Sequence, residues 1–318
     1  MKLKKKTLLV LLGVSLLMIL SACAPKESKS SDNNTTKSSK ITIGAMAAPD
    51  SAPLYVAERK GYFKDKGLNV KVELFKDPNK RDAAASAGQI NAAVVDFLSF
   101  TPYMRSKKID WKLITQMTGR FGIAVPKDSS IKTVKDLKGT KVANMSHQVT
   151  QYYMYQTLKE HGVNPDTVKI INTPQIPQRV EMIKNNQAAA AVLPQTFLTL
   201  ASVQGCKVLT TSKPDFQVTA LAAKGQLLKN KTMRTKFLKA YNQAVDDINN
   251  HPKDLQEVLQ KDLSMPFPVV KRAPKDFPRY NQAKTPNVKR MKQVLKFADE
   301  QKIFTKKVNA SDYIVPVD

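Results

Sequence analysis

Cysteine and histidine are nearly absent. The 318-residue chain has two cysteines, Cys23 and Cys206, and three histidines, His147, His161 and His251. Two thiols exclude a disulfide-rich scaffold, a four-cysteine zinc site and a cysteine-held iron–sulfur cluster. Three scattered histidines argue against a multi-histidine metal centre, so neither a metal nor a cofactor is expected. Acidic residues are scarce too: 26 Asp+Glu face 52 Lys+Arg, a formal net charge of +26. Only nine of those basic residues are arginine, and lysine lacks the guanidinium fork favoured in phosphate and base recognition. Nucleic acid is therefore not an expected partner. The lysines suit a solvated face, or a surface set against anionic lipid or wall polymer. The chain has no Gly-x-Ser-x-Gly elbow and no phosphate-binding glycine loop. Its adjacent carboxylates Asp246 and Asp247 fall in a polar helical stretch, so no enzyme is expected. With 42% hydrophobic residues, global disorder is excluded, and the length fits two domains or one two-lobed domain.

What the chain does have begins at its N-terminus. Lys2, Lys4, Lys5 and Lys6 precede an apolar run from Leu8 to Leu20 and then Ser21-Ala22-Cys23. A basic start, a short apolar stretch and small residues describe a secretory signal peptide over 1–22. The run is shorter than the about 20 residues that span a bilayer. Leu20-Ser21-Ala22-Cys23 resembles the bacterial lipobox, which implies lipidation of Cys23 and an anchor on the outer face of the cell membrane. Residues 24–40, rich in Ser, Thr and Asn, have nothing to bury and predict a flexible tether.

Beyond residue 40, short apolar strands alternate with amphipathic segments. Strands are expected at 41–44, 69–75, 92–95, 111–116, 121–125, 141–144, 168–172, 188–193, 207–210 and 216–222. Helices are expected at 54–60, 81–88, 97–107, 149–161, 176–185 and 196–204. This alternation predicts an α/β fold with mainly parallel sheets. From Asn230 the pattern turns helical, at 230–250, 252–260 and 288–301, as a cap and not a second independent domain.

One internal echo stands out. Ala87-Gly88-Gln89-Ile90-Asn91-Ala92-Ala93-Val94-Val95-Asp96 has the shape of Asn185-Asn186-Gln187-Ala188-Ala189-Ala190-Ala191-Val192-Leu193-Pro194. Both are a helix end, a glutamine, an alanine-rich strand and a stop. Either two alanine-rich strands coincide, or the chain has two similar α/β lobes with a ligand cleft beyond the carboxyl ends of their strands.

The segment from Ala52-Pro53-Leu54-Tyr55-Val56-Ala57-Glu58-Arg59-Lys60-Gly61-Tyr62-Phe63 to Gly67-Leu68 resembles the opening of the NMT1-like solute-binding lipoproteins of nitrate/sulfonate/taurine and thiamine-precursor ABC transporters. Ala87–Ala93, Asp136–Gly139, Ile176–Glu181 and Ala190–Gln195 continue the likeness. The resemblance implies a two-lobed periplasmic-binding-protein-like fold of type II, with two crossover strands and a C-terminal helical region. Lobe 1 is then 41–118 plus 221–318, and lobe 2, with the crossovers, is 119–220. It also implies a small-molecule ligand and partnership with an ABC permease and ATPase. The fold resembles yeast-type thiamine-pyrimidine synthases as well, but those carry a cysteine-rich motif, and Cys206 stands alone.

Carried over by position, Met46, Asp50 and Ser51 match the family's first ligand loop, and Asp96 the polar position after the third strand. Ser146, His147, Gln148 and Thr150 match the turn into a second-lobe helix, where a cap and free N–H groups suit an anion or a polar ring. Gln195 sits where many relatives have glutamate. Each has a plainer alternative: a turn for Asp50, a helix cap for Asp96 and Ser146, a surface position for His147. Of the tyrosines in 152–155, one is suited to stacking on a ring, with Tyr152 the candidate. Trp111 is expected in the core and Cys206 as a buried thiol. Arg120 is the only positive charge expected at the cleft, so the expected ligand is a heteroaromatic, vitamin-precursor-like compound such as an aminopyrimidine. Nitrate, an alkanesulfonate or taurine is the alternative, as is a basic lipoprotein that binds an envelope polymer.

Overall fold

The computed structural model describes residues 40–105 and 110–317. The expected signal peptide, the lipidated Cys23 and the tether over 24–39 lie outside the described residues.

The chain opens with β1 (Ile41–Met46), a strand buried along its whole length, as befits the centre of a parallel sheet covered on both faces. A tight turn at Pro49–Ser51 leads into α1 (Ala52–Arg59) and α2 (Tyr62–Asp65), then β2 (Val70–Phe75), α3 (Pro78–Ser86) and β3 (Ala92–Asp96). After α4 (Thr101–Arg105) comes β4 (Lys112–Met117). The next elements are β5 (Phe121–Val125), β6 (Lys141–Asn144), α5 (Val149–Glu160), β7 (Lys169–Asn172), α6 (Ile176–Lys184), β8 (Ala190–Pro194), α7 (Gln195–Val203) and β9 (Lys207–Thr211). The chain then returns through β10 (Thr219–Ala223) to α8 (Gly225–Lys229), α9 (Lys231–Asn250), α10 (Pro252–Lys261), α11 (Phe267–Asp276) and α12 (Val288–Glu300).

Two five-stranded sheets result, ordered β2-β1-β3-β10-β4 and β7-β6-β8-β5-β9. They share one plan. In each, a central strand pairs in parallel with two neighbours, and the fourth strand in the order runs antiparallel to both of its own. The chain changes sheet between Met117 and Phe121 and again between Thr211 and Thr219. Each sheet's antiparallel fourth strand, β5 or β10, is the one entered at such a change. That is why the sheets are mixed and not mainly parallel as expected.

Edge strands β2 and β7 are partly exposed, whereas β3, β8 and β10 are buried throughout. Alanine at Ala92, Ala93, Ala190 and Ala191 keeps those central strands thin beneath their covering helices. Gly44 serves the same end: a Cβ there would sit 2.6 Å from Ile90 Cδ1 and 3.0 Å from Arg81 Cγ.

Expected and observed elements differ in places. The helix expected over 97–107 is a hydrogen-bonded turn followed by α4, and 106–109 lie outside the described residues. Helix α11 was not expected. Three prolines (Pro266, Pro268 and Pro274) hide its pattern, although two stand at its entrance, where helices tolerate them. It packs on α10 and on α7, and Arg272 donates to Ser202 Oγ at 3.0 Å. The helical end of the chain thus touches both sheets' layers. Trp111 and Cys206 are buried, and burial raises the pKa of the Cys206 thiol. Among the described residues no helix is long and apolar enough to cross a membrane.

Candidate functional site

The carboxyl ends of both sheets' parallel strands open onto one cavity of about 80 Å³, partly open to solvent. From the first sheet come Met46 ending β1, Ala48 and Asp50 after it, Arg81 on α3, Asp96 ending β3 and Thr219 on β10. From the second come Phe121 on β5, Met145, Gln148 and Thr150 around the start of α5, Arg179 on α6 and Pro194 ending β8. Parallel strands that stop pairing leave a crevice at that point.

Asp50 is held in the turn between β1 and α1, where Ser51 Oγ donates to Asp50 Oδ1 at 3.3 Å. It is only 6% exposed, and burial pushes its pKa up to about 6. The buried hydroxyls of Tyr241 and Tyr280, both without hydrogen-bond partners among the described residues, feel its charge, and their pKa values are raised mainly by burial. Asp96 Oδ1 accepts from the Leu98 and Ser99 amides at 2.8 and 2.7 Å. It therefore caps the turn after β3 while also lining the cavity. Burial raises its pKa as well, although the Ser99 amide and Arg81 oppose the rise.

On the opposite side, side chains from neighbouring elements set the loop before α5. Met145 N donates to Asn144 Oδ1, Ser146 N to Asn172 Oδ1 and His147 N to Gln151 Oε1, at 2.8, 3.0 and 2.7 Å. His147 adopts a φ of 63°. Among the described residues no side chain caps the start of α5, and the buried Thr150 Oγ1 has no partner.

Met46, Asp50, Asp96, Gln148 and Thr150 are thus brought together, and six other candidates are not. Ser51 touches the site only through Asp50. Ser146 and His147 line a separate outer depression with Ser99, Arg105 and Asn172. Arg120 donates to Thr211 Oγ1 at 3.2 Å and to the Asp276 carbonyl at 3.4 Å, joining the first sheet change to β9 and the end of α11. Gln195 donates from Nε2 to Thr199 Oγ1 at 3.1 Å. Tyr152 is 1% exposed, stacked on Phe216 with centroids 5.8 Å apart and edge-on to Phe297 of α12. It belongs to the core that α12 completes, because its side of α5 faces that helix and not the cavity.

The residues that sequence reasoning missed are the two buried arginines. Arg81 and Arg179 each hold the fourth position of a nine-residue helix, α3 or α6. Each reaches a strand carbonyl thirteen residues further on: Arg81 Nη1 donates to Val94 O at 2.8 Å, Arg179 Nη1 to Val192 O at 3.2 Å. These carbonyls lie just past the last paired residues of β1 with β3 and of β6 with β8. Each arginine plugs the gap where two parallel strands part. The signal was present, since each stands six residues before the first residue of the internal echo. Arg81 and Arg179, and not Arg120, are accordingly the positive charges at the cavity, which removes the argument for a ligand without anionic groups.

One grouping of metal-capable side chains occurs elsewhere among the described residues: Asp247, His251 and Asp254. Lys60 Nζ lies 2.8 and 2.7 Å from the two carboxylates and forms an ion pair with each.

The NMT1/THI5-like family model matches residues 48–255. The chain belongs to this family. It is similar to a Haemophilus influenzae protein named for thiamine biosynthesis, 22% identical over 300 residues and covering 87% of this chain and 91% of that one. Among solved structures it resembles the periplasmic aliphatic sulphonate-binding protein SsuA of Escherichia coli, with a TM-score of 0.75 and 18% identity over 88% of this chain and 93% of that one. The alkanesulfonate-binding SsuA of Xanthomonas axonopodis pv. citri, bound to MOPS, gives 0.74 and 14% over 86% and 97%. The fold is that of the two-lobed periplasmic binding proteins.

Proposed function

We propose that the protein is the solute-binding component of an ABC importer, capturing one small organic molecule between its lobes and delivering it to a permease driven by an ATPase. Cys23 carries the lipid that holds it at the outer face of the membrane. The lobes are 41–118 with 221–318, and 119–220, and they close about the two sheet changes. One observation carries this reading: the carboxyl ends of two sheets of identical plan meet at a single cavity lined by Asp50, Asp96 and Arg179. An apolar lining from Met46, Met145, Phe121 and Pro194 with a few convergent polar groups is typical of a small-molecule site. Hydrogen-bond donors on the solute, such as the ring amine of an aminopyrimidine, meet the carboxylates of Asp50 and Asp96.

A thermal-shift screen of the mature, unlipidated chain tests the proposal, using aminopyrimidines, thiamine fragments, alkanesulfonates, taurine and nitrate. A solute at 100 times its dissociation constant stabilises the fold by about 2.7 kcal/mol, which moves Tm by several degrees. No shift from any compound, after unfolding and refolding to strip carried-over solute, refutes the receptor reading. Salt-sensitive binding to an anionic wall polymer would then favour an envelope-binding role.

A further inference from the structure

The two arginines that plug the strand gaps are alike in position but not in company. Arg81 has its counter-ion beside it: Asp82 Oδ1 lies 2.9 Å from Nε and 2.8 Å from Nη2. The residue that stands to Arg179 as Asp82 stands to Arg81 is Val180. Arg179 is 2% exposed, has no ion-pair partner among the described residues, and donates only to the carbonyls of Thr173, Val192 and Pro174 at 2.7, 3.2 and 3.5 Å. Burial alone lowers its pKa to about 10. A guanidinium has five N–H donors, and these contacts use three. A buried charge without a counter-ion costs free energy that a ligand's opposite charge would recover.

Two further features face the cavity from the same lobe. The start of α5, a twelve-residue helix, has no side-chain cap, so its first amides and the helix dipole are open to an anion. Thr150 Oγ1, buried there without a partner, is a further donor. Across the cavity the sign reverses, for Asp50 and Asp96 line the other lobe and Arg81 is already matched by Asp82.

We propose that the solute is bipolar, with an amine or protonated ring nitrogen held by Asp50 and Asp96 and an oxyanion held by Arg179, Thr150 and the α5 N-terminus. The proposal deepens the receptor reading and rests on it. A solute of this kind touches both lobes with opposite charges, so only the complete molecule draws them together. Neutral amines and simple anions engage one lobe each. Arg179 is on this view the residue that selects for the acidic end, in addition to its structural contact with Val192.

Isothermal titration of the mature protein with two matched series tests this. The first is taurine, ethanesulfonate and ethanolamine; the second is 4-aminopyrimidine-5-carboxylate, its carboxamide and benzoate. In at least one series the bipolar member binds at least tenfold more tightly than either single-ended analogue. Arg179→Gln brings the preference of the second series for carboxylate over carboxamide close to one, and the near-isosteric Thr150→Val reduces it severalfold while the fold is retained. The proposal is overturned if a single-ended compound binds as tightly as its bipolar relative in both series. It is also overturned if Arg179→Gln weakens carboxylate and carboxamide equally, as a purely structural role would. If Arg179→Gln does not fold, the wild-type ratios and Thr150→Val decide. Absence of binding by every compound here and in the wider screen counts instead against the receptor reading itself, and the proposal falls with it.

Discussion

Asp50 should make the empty protein less stable than it could be, by an amount that can be worked out. Its pKa is about 6 in the folded chain against an ordinary 3.8, with burial the main cause. Each pH unit of that difference is worth 1.36 kcal/mol, so the ionised carboxylate costs the fold about 3 kcal/mol at neutral pH. The sign follows from proton binding. Between pH 3.8 and 6 the folded state holds the proton more tightly, so the cost is absent below that window and grows as pH rises through it. Above pH 6 it is fully present. Arg81 and Asp96 act on Asp50 in opposite directions, and the buried Tyr241 and Tyr280 lie near it. All four remain in an Asp50→Asn variant. The difference between variant and wild type therefore isolates the one charge. At pH 7.5 the variant should melt about 5 °C or more above the wild type, an advantage that shrinks towards zero as pH falls to 4. The same variant should lose binding of amine-bearing solutes. Scanning calorimetry across pH 4–8 checks this. An Asn variant that is less stable than wild type at pH 7.5, or a difference that does not vary with pH, refutes the reasoning.

Two other perturbations separate scaffold from site. Gly44→Ala forces a Cβ towards Ile90 and Arg81 and should cost roughly 1–3 kcal/mol by overpacking, read as a lower urea midpoint with an unchanged slope. Tyr152→Ala removes a ring buried between Phe216 and Phe297 and should cost about 3–5 kcal/mol. It should leave solute preference unchanged at a temperature where the variant is folded, and a selective loss of one ligand class would return Tyr152 to the site.

Strand positions were legible because burial on a sheet leaves a short-range pattern: all-apolar runs at the centre, such as Ile41–Met46, and half-polar ones at the edge, such as Lys169–Asn172. The loops after β1, β3 and β6 were legible through the family resemblance, and Asp50, Asp96, Gln148 and Thr150 line the cavity. Tyr152 was misplaced because three tyrosines in one helix look alike until the partner of each helix face is known. Here that partner is α12, more than a hundred residues away in sequence.

By itself the sequence determined the alternation of strands and helices and the family to which it belongs, since each is written in local periodicity or in a contiguous motif, while the internal echo left the likeness of the two halves open. Only the tertiary structure decided that Arg81 and Arg179 are buried at the cavity, that one has a counter-ion and the other none among the described residues, and that the sheets are mixed. Arginine on a polar helix ordinarily points to water. It turns inward here because two parallel strands part beneath it and leave a carbonyl unpaired, which depends on how distant segments pair and not on any property of the helix that carries it.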